Sequence, residues 1–115
     1  MSMKELKIPA GSAMFIGAPA RPMDQRISIE IGKLTDSIDG IFEAHLPQLF
    51  VPEVMEEPAQ VLVVILRQNA NLKEIADELG SGLSRVLPEG AHLDLWPIPL
   101  GHQMVDDVRR TGCLI

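Results

Sequence analysis

Apolar residues are distributed unevenly along this chain, and the densest run sets the terms for the rest. From Ala59 to Arg67 the sequence reads A-Q-V-L-V-V-I-L-R, with six consecutive aliphatic residues from Val61 to Leu66. Val61, Val63, Val64 and Ile65 are β-branched, which favours a strand over a helix. An alternating strand buries one face, whereas a continuous apolar run needs cover on both. The pattern therefore predicts a strand in the middle of a sheet, with helices on one side and some other cover opposite. Ala13 to Ile16, A-M-F-I between Gly11 and Gly17, is a shorter segment of the same kind.

Elsewhere the period changes. Met1 to Lys7 reads as a loose arm, and the prolines of Ala18 to Pro22 mark a loop. Met23, Ile27, Ile31, Leu34 and Ile38 recur at three or four residues, predicting a helix over 23–39 with Gly40 as its stop. Ile41 to Leu49 alternates and contains Pro47, the behaviour of an edge strand. Residues 52–58 are polar and proline-flanked, as a connecting loop should be. Asn71 and Glu74 have capping-box spacing, and the apolar positions from Leu72 to Val86 predict a second helix. Gly80 and Gly82 weaken it by roughly 1 kcal/mol each relative to alanine. Because the period resumes in register at Leu83, the helix is expected to run through, with a break at Gly80 as the alternative. His92 to Ile98 gives a last strand limited by Pro97 and Pro99, and a short helix is expected around Met104, Val105 and Val108.

The element order is strand, helix, strand, strand, helix, strand. Its simplest right-handed arrangement is an α+β, ferredoxin-like two-layer sandwich: a four-stranded antiparallel sheet with two helices on one face and a short C-terminal extension over 101–115. This order makes the two continuously apolar strands central and the two alternating ones peripheral, while keeping an order with the first strand at an edge as the alternative. Two helices cover one face only, so the other exposes aliphatic side chains that a soluble monomer rarely keeps. The C-terminal segment, a second copy or a separate partner could supply the cover. A symmetric homodimer is the expected solution. Its candidate interface residues are Met14, Ile16, Val61, Val63, Ile65 and Trp96.

Composition narrows the classes. The 115 residues fit one domain, and one cysteine gives neither a disulfide framework nor a thiol metal cluster. Sixteen acidic against ten basic residues give a formal charge of −6, which works against phosphate backbones. Nucleic acid is further disfavoured because the chain has no tyrosine and aliphatic rather than aromatic central strands. No stretch approaches the ~20 apolar residues of a membrane span, and the first residues lack the apolar run of a signal peptide. A cytoplasmic protein without membrane partners is expected.

Candidate chemistry is sparse. Glu43 with His45, and His92 with Asp94, share faces of what are expected to be opposite edge strands. Three strand spacings of ~4.8 Å would then separate the pairs, too far for the about 3 Å of a hydrogen bond. These four residues and Trp96 are weak ligand-binding candidates, and His45 and His92 read more simply as partly exposed edge residues. Trp96 serves equally as a packing residue or an interface anchor. The three histidines match no zinc spacing, so no metal, cofactor or catalytic residue is assigned. Ser12 lacks the nucleophile-elbow context, the glycines form no phosphate loop, and Cys113 has no activating neighbour in sequence.

Several short motifs together resemble a known family. Pro9-Ala10-Gly11 precedes the first strand, and Gly17-Ala18-Pro19 and Pro22 follow it; further on come the Leu62–Ile65 strand, Leu87-Pro88-Glu89-Gly90 and Leu93-Asp94-Leu95. Over roughly residues 8–100 the chain resembles the C-terminal domain of the SseB proteins, the enhanced serine sensitivity family. That family usually carries this domain behind another and often ends in an aromatic segment, whereas residues 104–115 contain no aromatic residue. The resemblance implies no catalytic residues. The expectation is a non-enzymatic, self-associating protein-interaction or regulatory module; the alternative is a small-molecule binding domain or minor enzyme with a pocket at the open sheet face or dimer interface.

Overall fold

A computed structural model describes residues 2–5, as backbone, and 13–115. The fold is α+β. Its strands are β1 (Ser2–Glu5), β2 (Phe15–Gly17), β3 (Ile41–His45), β4 (Gln48–Phe50), β5 (Ala59–Leu66) and β6 (His92–Pro99). The helices are α1 (Gln25–Ser37), α2 (Leu72–Val86) and α3 (Val105–Arg110). The sheet follows the order β1-β6-β5-β4-β2, with β3 also paired to β5. β5 is central as its composition demands: Val61 to Ile65 are all 0 % exposed.

The neighbours of β5 differ from the four-stranded ferredoxin-like order. β6 lies directly beside β5 and parallel to it, joined by the α2 crossover. The first apolar segment does not separate them; β2 sits at the far edge, antiparallel to β4. A three-residue strand could pair only a fraction of the backbone groups of two eight-residue strands, whereas β5 and β6 pair in register from Val61↔Asp94 to Leu66↔Pro99. Nor is β6 an edge strand, because Ser2–Glu5, within the expected loose arm, pairs parallel to it. Among the described residues that pairing runs to Leu95, and no described strand lies beside Pro97 and Pro99 on the far side of β6, which suits residues without a donor.

On one face, α1 and α2 pack Ile31, Ile38, Ile75, Leu79 and Leu83 against Leu62, Val64, Leu93 and Leu95. Asp24 caps α1 by accepting from the Arg26 amide at 2.8 Å, and Asn71 accepts from the Glu74 amide at 3.2 Å as its spacing predicts. The second helix runs unbroken through its glycines. Gly82 permits the close crossing, since a Cβ there would lie 2.3 Å from Leu34 Cδ1. In the predicted strand over 41–49, the alternation breaks twice. A register shift between Ile41 and Glu43 turns Ile41 into the core and leaves Phe42 exposed, and the ladder splits at Leu46-Pro47 into β3 and β4.

The opposite face is covered as well. Leu49, Val51, Val61, Val63, Ile65, Ile98, Val105 and Val108 form a second buried cluster, flanked by Met14, Ile16, Met55 and Trp96. Its cover comes from α3, from a turn at 51–55 closed by Val51 O accepting from the Val54 and Met55 amides, and from β2. Val61, Val63 and Ile65 therefore cannot be interface residues of this folded chain, and the open-face basis of the dimer expectation is removed. Met14, Ile16 and Trp96 are half-buried against the same cluster. Residues 113–115, expected to be a simple end, pair with the outer edge of β3: the Leu46 amide donates to Cys113 O, and the Ile115 amide to Ala44 O, both at 3.0 Å.

Candidate functional site

The two histidine-carboxylate pairs exist, and each closes along its own strand. His45 Nε2 lies 2.9 Å from Glu43 Oε1, and His92 Nε2 lies 2.6 Å from Asp94 Oδ1. Residues i and i+2 share a strand face, which brings the side chains together. Between the pairs stands one strand, β5: Val63 is in register with both His45 and Trp96. The pairs are thus about two strand spacings apart, ~10 Å, rather than three. They remain separate groups.

Their surroundings differ. His45 is 2 % exposed rather than a partly exposed edge residue, because residues 113–115 cover its strand and α3 lies over its face. Glu43 extends onward to Arg109 of α3, whose Nε and Nη2 donate to the carboxylate, Nε to Oε1 at 3.1 Å. The Arg109 guanidinium, ahead of the His45 contact, holds the Glu43 carboxyl below the usual carboxylate range; the carboxylate in turn raises Arg109. With Nε2–H turned to Glu43, the His45 Nδ1 is buried without a hydrogen-bond partner among the described residues. The three-residue chain fastens α3 to β3. This is a structural clamp. Sequence reasoning missed Arg109, although its place four residues after the buried Val105 put it beside the buried stripe of α3.

Two other surfaces are built differently. The first is the edge of β2. Residues 14–18 line one wall of an open groove of about 660 Å³, and Met104, Asp107, Arg110 and Thr111 line the other. Phe15 is 61 % exposed and stacks on Phe50 across the ladder, with ring centroids 6.4 Å apart. Asp107 and Arg110 pair at 2.9 Å along the helical wall. Residues 13–17 contain no charged residue and no proline, the usual devices that protect a strand edge.

The second surface is a cleft of about 360 Å³ where α1, the end of α2 and the starts of β5 and β6 meet. Its floor includes Met23, Ile27, Leu87 and Leu93; Arg21, His92 and Asp94 supply polar groups. Two glutamines hold its loop wall in place. Gln60 Oε1 accepts from the Met23 amide at 3.2 Å while its Nε2 donates to Leu46 O at 2.9 Å, and Gln48 Oε1 accepts from the Ala20 amide at 3.3 Å. Of the weak ligand candidates, His92 and Asp94 reach this cleft, whereas Glu43, His45 and Trp96 do not.

Among the described residues, no group of three or more His, Cys, Asp or Glu is placed to hold a metal ion, and no helix is long and apolar enough to cross a membrane. Compared with protein-family models, curated proteins and solved structures, the chain matches none.

Proposed function

We propose that this protein is a non-enzymatic, cytoplasmic interaction module that pairs through the edge of β2, and that its principal partner is a second copy of the chain. The observation that carries the reading is the edge of β2 beside α3, which no other described strand pairs: an uncharged strand, an exposed Phe15 and a groove running alongside. An edge strand carries backbone donors and acceptors that an added strand can satisfy. Antiparallel pairing about a two-fold axis suits a self-complementary edge. Asp107 and Arg110 give the helical wall of the groove one charge of either sign, so that wall carries no net charge to repel a second copy. The outer side of β3, by contrast, is already occupied by residues 113–115. The resemblance to the SseB C-terminal domain is compatible with this reading and adds no catalytic role to it.

Sedimentation at micromolar concentration tests the proposal. The expected mass is that of two chains, falling to one chain in Phe15→Lys with the circular dichroism of the folded chain retained, because Phe15 is exposed. A one-chain mass for the unsubstituted protein overturns self-pairing and leaves an extended segment of another protein as the occupant to seek.

A further inference from the structure

The cleft between the loop at 18–24 and the start of β6 is separate from the β2 groove in its lining and its chemistry. Three features define it. Its volume of about 360 Å³ suits a small ligand. Its floor is aliphatic, with Ile27, Leu87 and Leu93 among the lining residues. At its mouth stands Arg21, an exposed cation that enters no ion pair or hydrogen bond among the described residues. Asp94 is already engaged, its Oδ1 lying 2.6 Å from His92 Nε2. Among the described residues of the lining, Arg21 is thus the charged group left without a partner. It lies beside apolar surface that would gain by being covered.

From this arrangement we infer that the cleft binds a small amphipathic carboxylate: a molecule with one carboxylate head and a short hydrocarbon body. The guanidinium of Arg21 presents parallel N–H donors that match a carboxylate in a two-pronged contact. The hydrocarbon lies on Ile27, Leu87 and Leu93. Of the two classes of anion an arginine takes, the carboxylate fits better, because among the described residues Arg21 is the only lysine or arginine in the lining, one cation for one charge. The Gln60 latch, which ties Met23 to β5 and Leu46, keeps the loop carrying Arg21 at the rim before any ligand arrives, so little ordering opposes binding. Weak, selective binding follows, with a dissociation constant on the order of millimolar for a probe of this size.

The test is titration of the full chain with hexanoate, followed by amide NMR, with hexylammonium and hexyl phosphate as comparison probes. Hexanoate is expected to shift the amides of Ile27, Leu87 and Leu93 saturably, and Arg21→Gln is expected to weaken that binding about tenfold, a change equivalent to ~1.4 kcal/mol. Because Arg21 is exposed, the remaining resonances of the variant should superimpose on those of the parent, which separates a lost contact from a lost fold. The assignment is overturned by an absence of saturable shifts with hexanoate, by equal binding in Arg21→Gln, or by hexylammonium or hexyl phosphate binding as tightly as hexanoate.

Discussion

The two faces of the sheet bury similar aliphatic side chains by different means. On the first, α1 and α2 carry their own amphipathic stripes, and Gly82 lets them cross closely enough to bury Ile31, Leu79 and Leu83. On the second, the cover is assembled from pieces far apart in sequence: a six-residue helix, a turn at 51–55 and a three-residue edge strand. A six-residue helix is too short to hold itself together. It depends on Val105 and Val108 below and on the Glu43–Arg109 ion pair at its end. The first face is stable because of what each helix contributes; the second is stable only as an assembly.

Removing the second cover is the strongest way to test that difference. A chain ending at Leu100 would uncover Val61, Val63 and Ile65 together and strip the pairing from β3. It is expected to bind a hydrophobic dye and lose its single-species sedimentation profile; a soluble, dye-negative truncation would show that the second face needs no cover from α3. Within the first face, Leu79→Ala leaves a cavity beneath α2 and should lower stability by ~2–5 kcal/mol, read from the urea midpoint. The clamp comes next. Glu43→Ala leaves the buried His45 Nε2 without its acceptor and Arg109 without its partner, and is expected to cost ~1–3 kcal/mol.

The acid limb of stability sharpens the same point. The Glu43 carboxyl is held below its ordinary value, first by Arg109, so it takes up protons more readily in the unfolded chain than in the folded one. Its contribution is complete above its unfolded pKa, about 4.3, and disappears as pH falls through the lower folded value. Urea midpoints of the parent and Glu43→Gln should therefore converge below about pH 4; parallel curves across the acid range would remove the ion pair from the account. The smallest effect belongs to the other histidine pair. His92→Ala, at an exposed site, should change stability by no more than about 0.5 kcal/mol, and a loss matching that of Glu43→Ala would erase the distinction between clamp and cleft.

Much of the first face was legible because its signals are local. The Asn71 cap, the stripe from Ile27 to Ile38 and the resumption of period at Leu83 each depend on residues within a turn or two. The i, i+2 spacing likewise predicted that Glu43 would share a face with His45, and His92 with Asp94. It was silent on depth. His45 is buried and His92 exposed because α3 and residues 113–115 close over His45 in β3, whereas His92 stands at the first residue of β6. The apolar character of residues 13–16 was read correctly but placed in the wrong part of the sheet, since an apolar segment is satisfied equally by a central strand or by the underside of a second cover.

The sequence by itself determined that Val61 to Leu66 had to be buried on both faces, that two amphipathic helices would cover one of them, and that a short helix would follow near Val105. Side-chain chemistry and period are properties of neighbouring residues, and they survive without knowledge of the fold. Only the tertiary structure decided that β6 lies beside β5, that β2 is the last described strand beyond β4, that Arg109 reaches Glu43 and that Arg21 stands over an apolar cleft. Those relations join segments far apart along the chain. Many pairings satisfy the same local pattern, and the choice among them is made by which one pairs the backbone and covers both faces of β5 at once.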